Sequence, residues 1–150
     1  MPRRHVPSPT ARGGRVFVDT SAWIALVSAH DREHTLVDSA VQAAVATGIR
    51  LLTTNLVVAE AQRLILFRAG RAAARAFLEH LTRSRATAIH FVSRDNHRSA
   101  LEWLDRLPDQ ELTYTDAVSF AVMISKRCKA ALTLDKHFSV AGFARFQDLL

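Results

Sequence analysis

Short apolar runs rich in β-branched and aromatic residues alternate along this chain with longer stretches at helical spacing, and no hairpin signal separates the runs. Parallel strands need crossover connections, so this alternation argues for a parallel α/β sheet covered by helices on both faces. Runs at 15–19, 49–53, 88–92 and 130–134 read as strands, with a short fifth at 143–146. Between them, Thr20-Ser21 caps a helix through Trp23 and Leu26, and Asp31 caps a second that Gly48 stops. Thr54 or Asn55 opens a third, interrupted at Gly70 and followed by another through Phe77 and Leu81. Ser93 or Asp95 opens a helix that ends before Pro108, and Thr113 or Thr115 opens the last, from Asp116 to about Arg127.

In open parallel sheets, ligands sit outside the carboxyl ends of the strands, at a topological switch point. Four acids are placed to meet there. Asp19 and Asp135 follow the first and fourth strands, while Glu60 and Asp116 lie in the first turns of helices bordering the same crevice. Singly, most have an ordinary explanation. Asp19 and Asp135 suit turns, and Asp116 complements a helix dipole. Glu60 shares a stripe with Leu56 and Leu64, where a carboxylate must be paired, protonated or bound to a cation. Together the four form a set of hard oxygen donors suited to a divalent ion such as Mg²⁺ or Mn²⁺.

Composition bounds the rest. The chain has 150 residues, 49% of them hydrophobic, which fits one domain with a real core. No apolar run approaches the roughly 18 residues of a membrane helix. The single Cys128 excludes an internal disulfide and a cysteine-based zinc site, and fits a cytoplasmic protein. Residues 1–14, rich in Pro, Gly and Arg, read as a flexible basic tail ahead of a domain at 15–150. A net charge of +6 points to a polyanionic partner, nucleic acid above all. No P-loop or dinucleotide glycine motif occurs. Ser21 stands where a haloacid-dehalogenase phosphatase would carry its second acid, and hydroxyls replace the acidic pair of a phosphoacceptor receiver.

The segments VFVDTSAWIAL (16–26), TTNLVVAE (53–60), LTYTDAVSFAVM (112–123) and LTLDKHF (132–138) resemble, in order, the signature blocks of the PIN domain. They look most like those of VapC-type ribonuclease toxins from type II toxin–antitoxin pairs. The resemblance implies a three-layer α/β/α sandwich around a short, mostly parallel sheet. It implies a Mg²⁺- or Mn²⁺-dependent endoribonuclease that uses metal-activated water and leaves a 5′-phosphate and a 3′-hydroxyl. The family's acidic quartet falls on Asp19, Glu60, Asp116 and Asp135, with Asp19 and Asp116 expected as principal ligands. Its hydroxyl positions fall on Thr20 or Ser21 and on Thr115. Lys136 and His137 follow Asp135 and are candidates for touching the RNA backbone. An antitoxin partner and a homodimer are further implications. The alternative is a catalytically weak PIN-like module that binds RNA or regulates. His90 and His97 read as structural or exposed, Trp23 as core or interface, and Arg63, Arg68, Arg71 and Arg75 as a solvated helix face.

Overall fold

The computed structural model describes residues 8–150. Five strands form one sheet: β1 (Arg15–Val18), β2 (Arg50–Thr54), β3 (Thr87–His90), β4 (Ala130–Leu132) and β5 (Ala144–Arg145). All pairings are parallel, in the order β3-β2-β1-β4-β5. The order reverses at β1, whose neighbours β2 and β4 are reached in opposite directions, so the switch point lies between β1 and β4. With right-handed crossovers, that reversal sends the helices before and after β3 to opposite faces.

On one side stand α1 (Thr20–Val27), α2 (His34–Ala46), α3 (Asn55–Ala69) and α4 (Arg71–Arg83), with α1 packed on both α2 and α3. On the other stand α5 (Arg94–Arg106), α6 (Tyr114–Ser125) and the short α7 (His137–Val140), and a 3-10 turn (Phe146–Leu149) follows β5. Alternate residues of β1 serve the two layers. Phe17 meets Phe138, which stacks edge-on against Phe120, which in turn meets Trp103. In the other layer Trp23 packs edge-on against Phe77 and donates from Nε1 to Thr53 Oγ1 at 3.3 Å, so it is a core residue.

The N-terminal tail divides. Residues 1–7 lie outside the described residues. Residues 8–14 form two consecutive turns, closed by Ala11 N to Ser8 O (2.9 Å) and Gly14 N to Ala11 O (2.8 Å). Gly14 is buried, and a Cβ there would meet the carbonyl oxygens of Ala11 and Ser8 at 2.9 Å. Its own carbonyl accepts from Arg50 N at 3.0 Å, which ties this half of the tail to the sheet.

Several boundaries differ from the sequence reading. Asp19, not Thr20 or Ser21, is the residue before α1, and α2 starts at His34 because Asp31 folds back to accept from Glu33 N at 2.8 Å. β1, β3 and β4 are shorter than their apolar runs, whereas β2 keeps its length and starts one residue later. β4 ends at Leu132 because the next residues turn to fix Asp135; α7 follows, and the fifth strand narrows to Ala144–Arg145 ahead of the 3-10 turn. Of the paired alternatives, Thr54, Ser93 and Thr113 are the caps of α3, α5 and α6, each accepting from a backbone N–H one turn on.

Candidate active site

Asp19 sits at the carboxyl end of β1, where its N–H still reaches Leu132 O across the sheet at 3.1 Å. Its carbonyl starts α1, but its carboxylate makes no capping bond. Instead Oδ2 accepts from Thr133 Oγ1 (3.0 Å) and Ser21 Oγ (3.1 Å). Ser21 Oγ also accepts from Leu134 N at 2.9 Å, and Thr133 Oγ1 from Asp135 N at 3.0 Å. Two hydroxyls thus stitch the end of β1 to the turn after β4, both binding Asp19 through Oδ2. Asp19 is 5% exposed, and this burial, together with the nearby Asp116 charge, pushes its carboxyl up to about 6 against the hydrogen bonds it accepts.

Asp116 occupies the first turn of α6. A capping box holds it: Thr113 Oγ1 accepts from Asp116 N at 3.1 Å, and Asp116 Oδ2 accepts from Thr113 N at 3.2 Å. Burial raises its carboxyl, and the Asp135 charge raises it further. Asp135 is half-buried and accepts at Oδ1 from His137 N at 2.9 Å. His137 Nδ1 lies only 2.8 Å from the same oxygen but forms no hydrogen bond with it. Ligand atoms of Asp116, Asp135 and His137 all lie within 4.8 Å of one another.

A cleft of about 340 Å³ joins these groups. Asp19, Thr20, Ser21, Asp116 and Asp135 line its floor and wall, and Glu60, Leu64 and Arg68 line the side formed by α3. Two larger hollows, of about 700 and 680 Å³, are mainly apolar and hold none of the four acids. The donor set fits a hard divalent cation: carboxylates held close at the cost of raised proton affinity, a buried Thr20 Oγ1 with no partner among the described residues, and one imidazole edge. Burial pushes the Cys128 thiol up to about 11, so the lone cysteine takes no part.

Two sequence expectations need correction. Glu60 is not a buried acid on an apolar stripe but an exposed residue in the second turn of α3, because Leu56 and Leu64 are themselves only half covered. Thr115 does not support an acid: its carbonyl accepts from Ser119 Oγ at 2.7 Å, and Thr113 makes the bond to Asp116 instead. Lys136 is exposed ahead of α7 and outside the cleft lining. Arg68 departs from its helix-face reading by lining the cleft, while Arg75 pairs with Glu79 on the surface as expected. His90 bonds Asn96 and His97 bonds Tyr114, so both are structural. Thr133 and Asp31 are missed contributors. Only Thr133 carried a signal, as a hydroxyl two residues before an acid at a strand end.

A parallel sheet whose switch point gathers carboxylates from the ends of β1 and β4 and from α6 defines an α/β protein with an open cleft lined by oxygen donors suited to a divalent cation. Residues 16–144 match the PIN domain model. The chain is 36% identical over 128 residues to the Mycobacterium tuberculosis 23S rRNA-specific endonuclease VapC20, which covers 85% of this chain and 95% of the relative. A crystal structure of that protein, described as a Sarcin-Ricin loop cleaving toxin, superposes with a TM-score of 0.78 at 34% identity, over 86% of this chain and 96% of the other. The Rickettsia felis VapBC2 complex, bound to a DNA fragment from its promoter, shares the fold with a TM-score of 0.68 at 12% identity over 87% and 96%. The chain belongs to the PIN domain family and, within it, to the VapC-type proteins.

Proposed function

We infer that this protein is an endoribonuclease, the toxin of a toxin–antitoxin pair, dependent on Mg²⁺ or Mn²⁺. The observation that carries the reading is the convergence of Asp19, Asp116 and Asp135 on one open cleft. Similarity to a 23S rRNA-specific endonuclease over nearly its whole length supports large-subunit ribosomal RNA as the substrate. It also supports a cognate antitoxin and a cytoplasmic setting. A homodimer is the oligomeric state we propose, on family resemblance alone.

Asp19 Oδ1, Asp116 and Asp135 would hold the ion, with Glu60 completing its shell or acting through waters. When bound, such an ion lowers the pKa of water and polarises a phosphoryl oxygen. The protein's own residues do the rest. Thr133 and Ser21 fix Asp19 through its Oδ2, so the carboxylate points one way. Thr113 fixes Asp116, and the His137 N–H fixes Asp135. Thr20 Oγ1, buried without a partner among the described residues, is free to bond a phosphate oxygen, and Arg68 offers the cleft a positive charge for the scissile phosphate. His137 and Lys136 follow on the same turn, within reach of flanking backbone.

The test is cleavage of 23S rRNA in the presence of Mn²⁺ or Mg²⁺, with RNA ends mapped for wild type and Asp116→Asn. New ends bearing a 5′-phosphate, dependent on metal and absent with the variant, are expected. Folded wild type with metal and no new ends leaves only the RNA-binding or regulatory module.

A further inference from the structure

Charge is distributed along the strand axis in opposite senses at the two ends of the sheet. The carboxyl ends carry the acids. The amino ends carry cations: Arg12 and Arg15 lead into β1, Arg50 opens β2, Arg85 precedes β3, and Lys126 and Lys129 precede β4. Parallel pairing forces this clustering, because every strand starts at the same end. Arg15 and Arg50 are partners in register, Arg15 Nη1 donates to Lys126 O at 3.3 Å, and Ala86, next to Arg85, accepts from Leu51 N at 2.8 Å. The Arg12 side chain lies against Gly48, just before β2. Five of these cations are exposed and Lys126 is half-exposed. None forms an ion pair among the described residues, although Arg32, Arg75, Arg98 and Arg145 do elsewhere. The stretches 8–18, 47–54, 84–90 and 124–131 contain no Asp or Glu. Arg15, Arg50 and Lys126 also line one end of a hollow of about 320 Å³ that runs along β2 and β3 to His90.

We propose that this basic pole is a second RNA-binding surface, which takes the phosphate backbone of a folded substrate well away from the scissile bond. The inference rests on the ribonuclease reading above. Its physical basis is that the cleft is too acidic to hold a polyanion by charge alone, with Arg68 the one Arg or Lys in its lining among the described residues. Strands of four and five residues separate the two ends by about 15 Å at 3.3 Å per residue, so only an RNA that extends beyond its cleaved loop reaches both. Contacts of this kind supply affinity through counterion release and carry no sequence information.

The experiment compares wild type with the triple variant Arg50→Gln/Arg85→Gln/Lys129→Gln. Binding is measured without divalent metal across a salt series, on a long ribosomal RNA transcript and on an oligonucleotide too short to pass the cleft. Removing three phosphate contacts should weaken long-transcript binding tenfold or more and flatten the log–log salt slope by about 2–3. Binding and metal-dependent cleavage of the short oligonucleotide should be unchanged. Equal affinity of variant and wild type for the long transcript overturns the proposal. So does a variant that loses only antitoxin binding, which would assign the pole to a protein partner. Wild type that binds the long transcript through this pole yet never cleaves it keeps the surface and rejects the ribonuclease reading.

Discussion

Replacing Asp19 with Asn should make the metal-free protein more stable at neutral pH while removing its response to metal. Asp19 is almost fully buried, and its carboxyl stands at about 6 instead of 3.8. At 1.36 kcal/mol per pH unit, ionising it inside the fold costs about 3 kcal/mol at pH 7. The direction follows from proton counting. Between pH 3.8 and about 6 the folded state holds more protons at this site than the unfolded chain. The contribution to stability is therefore fully present below 3.8, is lost as pH rises to about 6, and stays lost above it. Asparagine is neutral throughout, and its amide oxygen still accepts from Thr133 and Ser21, so only part of the gain is offset by its new amide hydrogens. A gain of about 1–3 kcal/mol raises Tm by roughly 2–10 °C in a chain of this size. Urea unfolding in EDTA at pH 4 and pH 7 measures it, with the advantage of the variant shrinking in acid. Added Mn²⁺ should raise the midpoint of wild type and leave the variant nearly unmoved. A variant that is less stable than wild type at pH 7, with the same denaturant slope, would refute the idea that this carboxylate is held at a cost.

Thr133→Val removes one hydroxyl shared by Asp19 and the Asp135 N–H, and should cost about 1–3 kcal/mol in chemical denaturation and weaken metal binding by calorimetry, with Thr133→Ser restoring both. Glu60→Gln should leave stability within about 0.5 kcal/mol, since Glu60 is exposed and unpaired among the described residues, yet lower cleavage in a kinetic assay at limiting metal.

Much of the local structure was legible in order along the chain. Thr54, Ser93 and Thr113 announced their helices because a side-chain cap acts within three residues. Asp19, Asp116 and Asp135 stood out only as a set, because each alone suits a turn or a helix dipole while their joint placement at the ends of apolar runs does not. Glu60 shows the limit of the method. A helical stripe says which residues share a face, but only the neighbours of α3 decide whether that face is covered, and around Glu60 it opens onto the cleft. The role of Thr133 was hidden for a related reason. Its hydroxyl belongs to a pair 114 positions apart, and nothing near it in sequence names the partner.

The amino-acid sequence by itself determined the element types, their alternation, the parallel habit of the sheet and the family, because periodicity and capping act over a few residues. Tertiary structure alone decided that β1 lies beside β4, and with that the cleft, the hydroxyls clamping Asp19, the exposure of Glu60 and the gathering of cations at the far pole. Strand order is a choice among packings whose free energies sum over the whole core, so no local segment encodes it.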